Sequence, residues 1–134
     1  MHKLSRIVQK SMARFLLLIT GWRLEGTVPD LKKCVIIGAP HTSNWDFFFG
    51  LLYKMYYGLN IHFLMKQELF HFPFGVFFKA VGGIPVNRGK KNNLVETLYV
   101  KFTQTKNFYL AIAPEGTRHR VKEWKRGFYY IAKK

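Results

Sequence analysis

Apolar residues along this chain fall into short β-branched runs that alternate with longer stretches on a helical period, separated by glycine, proline and polar turns. Cys34-Val35-Ile36-Ile37, Ile61-His62-Phe63-Leu64-Met65 and Phe108 to Ala113 have the length of buried strands. Ile84-Pro85-Val86 is a shorter one, its proline suiting an edge or terminal position. Between them, a helix is expected from about Asn44 to Tyr57, stopping at Gly58, and another from His71 to Val81, stopping at Gly82-Gly83. Asn92 to Thr105 reads as an amphipathic helix, Trp124 to Ala132 as a last one, and Trp22 to Val28 as an edge strand. Strands alternating with helices predict an α/β fold with a mainly parallel sheet flanked by helices.

The first twenty residues carry a different pattern. On a helix over 2–20, Leu4, Ile7, Val8, Met12, Phe15, Leu18 and Ile19 lie near one stripe, with Lys3, Arg6, Lys10 and Arg14 largely off it. The uninterrupted apolar core, Phe15 to Ile19, is far short of the ~20 residues that span a bilayer. Gly21-Trp22-Arg23 is a poor signal-peptide cleavage site. A basic amphipathic helix ending at Trp22 fits the headgroup region of an anionic membrane. The alternative is a helix packed on its own domain with its lysines solvated. The expected organisation is thus a membrane-surface helix over 1–20 and one further domain over 21–134.

Composition narrows the partners. The 134 residues suffice for one domain with a real core, and 49% hydrophobic content excludes disorder. Twenty-two Lys and Arg against seven Asp and Glu leave a net charge of +15, which calls for an anionic partner. That partner is a phosphate-bearing substrate, a nucleic acid or an anionic lipid. Thirteen Phe and seven Tyr beside the charge favour a membrane surface. No nucleic-acid partner is expected, because the basic residues are scattered and no recognition-helix, RRM or KH pattern appears. The single Cys34 lies in an apolar strand, where packing is its expected role, and a chain without an internal disulfide fits a reducing compartment.

Candidate chemistry sits at the strand ends. Gly38-Ala39-Pro40-His41-Thr42-Ser43-Asn44-Trp45-Asp46 links an expected strand to an expected helix, and open α/β sheets place their ligands at such turns. In continuous helix His41 and Asp46 would point about 140° apart. With His41 in the loop and Asp46 in the first helical turn, they can pair, leaving one imidazole nitrogen as a general base. The same residues also read as a cap, with Ser43 at the N-cap and Asp46 three residues on; both readings stay open here. Two further strand ends carry arginines, Gly83-Ile84-Pro85-Val86-Asn87-Arg88-Gly89 and Pro114-Glu115-Gly116-Thr117-Arg118. In a parallel sheet all three reach one edge and together form a site for a phosphorylated substrate that must lose a proton. No side chain suits a covalent route, so His41 is expected to deprotonate a hydroxyl that attacks an activated carbonyl directly. The histidines show no metal-type spacing, so no metal is expected.

These three blocks, His41 to Asp46, Gly82 to Arg88 and Pro114 to Arg118, resemble in order the first three motifs of the glycerolipid acyltransferases, a family that includes bacterial 1-acylglycerol-3-phosphate acyltransferases. The resemblance runs from about Trp22 to the end. It implies acyl transfer from acyl-CoA or acyl-carrier protein, as co-substrate and with no cofactor, to the hydroxyl of a lysophospholipid acceptor. It also implies a peripheral place on the cytoplasmic face of a membrane. By the same resemblance His41 is the base and Asp46 its partner. Glu115, Gly116, Thr117 and Arg118 shape the phosphate site, and Arg88 is an auxiliary anion contact. The family continues past the position of Ala132 with an apolar, proline-containing block. Here Lys133-Lys134 follow, so the acyltransferase domain over 21–134 is expected to be C-terminally short, with one sheet edge uncovered. The alternative function is a catalytically weak, basic lipid-binding module derived from such an enzyme.

Overall fold

The four apolar runs become strands β1 (Lys33–Ile37), β2 (Ile61–Lys66), β3 (Gly83–Val86) and β4 (Phe108–Ile112) in a computed structural model that describes residues 2–87 and 94–133. The helices are α1 (His2–Thr20), α2 (Trp45–Tyr57), α3 (Phe74–Ala80), α4 (Leu94–Gln104) and α5 (Gly127–Lys133), with a 3₁₀ turn at Gln67–Phe70. The chain divides into two compact units. One comprises the residues up to Asp30 together with Ser43–Leu59; the other comprises Leu31–Thr42 and everything from Asn60 onward.

The second unit holds the sheet, an α/β arrangement in the order β1-β4-β2-β3 with every pairing parallel. Val35 lies opposite Leu110 and Leu64 opposite Ile84, so the period-2 alternation puts these four side chains on one face. That face is covered by Leu98 of α4 and Ile131 of α5, which are buried together with Ile84, Phe108 and Leu110, while Val35 and Leu64 pack against them half-buried. Each such aliphatic side chain contributes about 1.5–3 kcal/mol on burial. The 3₁₀ turn and α3 press on the other face, at Gly83. A Cβ there would stand 2.7 Å from the Phe78 carbonyl oxygen and 2.9 Å from Met65 Sδ, so only glycine admits so close an approach.

The first unit is a pair of packed helices. Ala13 and Leu17, one turn apart on α1, are buried against Leu52 of α2, with Leu24, Phe48 and Tyr56 around them. Consequently α1 meets its partner through a face other than its large apolar stripe. Leu4, Ile7, Val8, Met12, Phe15, Leu18 and Ile19 all remain exposed, Leu18 by 78%. Among the described residues no helix is long and apolar enough to cross a membrane.

Three sequence expectations shift. Trp22 to Val28 forms no strand: Trp22 stacks on Phe49 with ring centroids 4.2 Å apart, Leu24 joins the α1–α2 core, and Gly26 takes φ 86°. The helix expected over 71–81 shortens to Phe74–Ala80 because Pro73, at its N-cap, disfavours the helical conformation at the residue before it, Phe72. The last helix opens at Gly127 instead of Trp124, since Lys125 is drawn into a bond with the loop after β4.

Candidate active site

Because the strands run in one direction, their carboxyl ends share one edge of the sheet, where open α/β folds bind ligands. The Gly38 N–H donates to the Ile112 carbonyl at 3.0 Å, carrying the β1–β4 pairing one residue past the strands. There the two chains part. One runs through the cis Ala39–Pro40 peptide to His41, which is half-buried in the loop; the other enters Pro114–Arg118. The sheet order therefore makes neighbours of two loops that lie more than seventy positions apart in sequence.

The loop after β4 is built around Gly116. Its N–H donates to the Ala113 carbonyl at 3.1 Å, and its φ of 63° lies in the left-handed region that favours glycine. Pro114 is fully buried, and its carbonyl accepts the Lys125 N–H at 2.9 Å. The Lys125 side chain then lies along Gly116: a Cβ on that glycine would stand 2.8 Å from Nζ and 3.0 Å from Cε. Lys125 thus adds an ammonium beside the loop, a residue the sequence reading passed over. Its only sequence signal is the basic pair Lys125-Arg126 followed by Gly127.

Other members of the loop differ in what they offer. The Thr117 hydroxyl oxygen accepts the His119 N–H at 3.3 Å, a local turn that orients the side chain. Arg118 is exposed. Glu115 Oε2 is buried without a hydrogen-bond partner among the described residues. A buried acceptor left unpaired costs roughly 1–3 kcal/mol, so a donor delivered by a ligand gains correspondingly.

Two more strand ends complete the edge. Counting on from the Phe63–Ala111 pair puts Lys66, the last residue of β2, level with Pro114 and beside Val86 of β3. Lys66 is a second cation at this edge. Arg88, just beyond β3, lies outside the described residues. β3 itself is separated from β4 by β2, a spacing of about 10 Å.

Asp46 stands in the first turn of α2, in the unit of paired helices, whereas His41 belongs to the sheet unit. Asp46 Oδ2 accepts the Ser43 N–H at 2.9 Å, and Ser43 Oγ accepts the Trp45 N–H at 3.2 Å. These bonds form a turn just ahead of the helix, whose N-cap is Asn44 rather than Ser43 and carries no side-chain cap bond, and they set a carboxyl group at the positive end of the helix. At the other end Gly58, at φ 66°, donates its N–H to the Lys54 carbonyl.

Cys34 offers no alternative nucleophile, because burial pushes its thiol pKa up and so disfavours the thiolate. Among the described residues no group of three or more His, Cys, Asp or Glu is placed to hold a metal ion. The family model described as Acyltransferase matches residues 22–134. No curated protein and no solved structure gives a match.

Proposed function

The chain belongs to the acyltransferase family, and from that premise we propose that it moves a fatty acyl group from acyl-CoA or acyl-carrier protein to the hydroxyl of a (lyso)glycerophospholipid. The observation that carries this reading is the β1–β4 adjacency, which sets the His41 loop beside the Pro114–Arg118 loop.

In the proposed reaction His41 accepts the acceptor's hydroxyl proton as the oxygen attacks the thioester carbonyl carbon. The tetrahedral adduct collapses, the carbon–sulfur bond breaks, and the departing thiolate takes up that proton. Asp46 is proposed as the partner of His41. Arg118, Thr117, Gly116 and Glu115 shape the acceptor's phosphate site, with Arg88 as an outer anion contact. Lys125 and Lys66 add positive charge to the same edge.

The proposed location is peripheral, on the cytoplasmic face of an anionic membrane. What supports it is the exposed stripe of α1 beside the exposed Arg6, Lys10 and Arg14, on a helix without acidic residues.

Thiol release from an acyl-CoA, measured across a panel of lysophospholipids for the wild type and His41→Ala, tests the proposal. The wild type should release thiol with at least one phosphorylated acceptor. His41→Ala should lower the rate by about 10²–10⁴ at an unchanged melting temperature. Wild-type turnover in the variant would remove His41 as the base. Absence of thiol release with every acceptor and donor would sink the activity itself.

A further inference from the structure

An open groove of about 690 Å³ runs along α1 and the segment that follows it, wholly within the helical unit. Phe15, Leu18, Trp22 and Tyr56 form its apolar wall, and two arginines, Arg14 and Arg23, open onto it. None of the described residues lining it is acidic. Trp22 is half exposed yet held by its stack on Phe49, so the wall is fixed in place. Three of the wall residues, Phe15, Leu18 and Trp22, are also exposed apolar residues continuous with the outward stripe of α1.

We propose that this groove binds a single anionic membrane phospholipid, its phosphate between Arg14 and Arg23 and the start of one acyl chain along Phe15, Leu18 and Trp22. The charge decides the headgroup: two guanidinium groups with no nearby lining carboxylate select an anion, and each can bind phosphate through a bidentate fork. The wall decides the source. A free phosphate would leave an aromatic and aliphatic surface wet, whereas a lipid covers it and continues into the bilayer that the rest of the stripe faces. The proposal rests on the peripheral location proposed above but is independent of acyl transfer.

A protein keeping Trp22 as its single tryptophan (Trp45→Phe, Trp124→Phe) reports on the groove. All vesicles hold the same mixture of phosphatidylcholine and phosphatidylglycerol, with either one or the other brominated near the acyl carbonyl. Brominated phosphatidylglycerol should quench Trp22 more strongly. Arg14→Gln with Arg23→Gln should reduce that preference about tenfold more than Arg6→Gln with Lys32→Gln, which removes the same charge from outside the groove. All four positions are exposed, so folding is not at stake. Equal loss in both paired variants, or equal quenching by both lipids, would overturn the groove in favour of diffuse attraction. No quenching by either lipid would overturn the peripheral location as well, while thiol release reports separately on the chemistry.

Discussion

Asp46 accepts the backbone N–H of Ser43 at 2.9 Å, so the residue proposed to steady the catalytic base also closes the first turn of α2. The two roles separate by substitution. Ser43→Ala should cost about 1 kcal/mol of stability with near-normal specific activity. Asp46→Asn keeps an acceptor oxygen for the cap but loses the charge, and should bring turnover down towards that of His41→Ala. Melting temperature and rate measured on the same preparation distinguish them. Should Asp46→Asn lose stability alone, Asp46 is a helix cap and not a partner of His41.

Arg118 is expected to read the acceptor. A charge-assisted bond contributes roughly 1.5–3 kcal/mol, so Arg118→Ala should raise the Michaelis constant for a phosphorylated acceptor by about tenfold or more. The constant for the acyl donor should change far less. Lysine should rescue only in part, lacking the bidentate fork. Arg88→Ala should act in the same direction more weakly. Impairment confined to the donor would mean that the recognised phosphate is the coenzyme's.

Gly116 combines two constraints, a positive φ and the Lys125 side chain lying across it. Gly116→Ala should destabilise the protein through both, the left-handed conformation alone costing roughly 1–2 kcal/mol. Lys125→Ala removes the crowding and leaves the backbone as it was. Chemical denaturation of the two single variants, the double variant and the wild type should show a smaller glycine penalty in the Lys125→Ala background, with about 1 kcal/mol remaining. Complete recovery would mean that φ contributes nothing.

Cys34 predicts a pH effect with a definite sign. Burial raises its folded-state pKa above the ordinary value of 9.0, so on deprotonation the unfolded chain loses its proton first. Its contribution to stability is therefore intact below pH 9.0 and declines as pH rises through the folded value. Burial lowers the Lys54 pKa, and that group works in the opposite direction, towards greater stability as pH approaches 10.5. Comparing Cys34→Val with wild type cancels the lysine. The variant should lose less melting temperature above pH 9.0, and parallel curves would dismiss the thiol.

How much of this was legible in the sequence depends on the range of the interaction. The four strands and the Ser43–Asp46 bond are local, set by β-branched runs and an i, i+3 spacing, and sequence located them, though the N-cap itself falls one residue later, at Asn44. Strand order is a long-range property, and nothing in the run Phe108 to Ala113 says that it inserts between β1 and β2. Lys125 was missed because its place depends on the backbone turn at Gly116. The alternation of Trp22 and Leu24 misled because it matches a strand, whereas here it marks two residues caught by the helix pair. The stripe of α1 was visible too. That the helix would pack through Ala13 and Leu17 and leave its larger stripe outward was not, since a face built on one alanine and one leucine carries less hydrophobic signal than the seven-residue stripe beside it.

Among the described residues, β4 is the strand that pairs with β1, and it is made after β2 and β3. A nascent chain that has reached Val86 can pair β2 with β3, but β1 waits with its N–H and C=O groups unmatched until residues 108–112 arrive. The loop holding His41 and the loop holding Arg118 acquire their common edge in that same event. Inserting β4 between β1 and β2 and bringing the two loops together are then one step, made at the entropic cost of closing a long stretch of chain. A molecule in which β4 has not yet paired with β1 therefore holds these two loops apart.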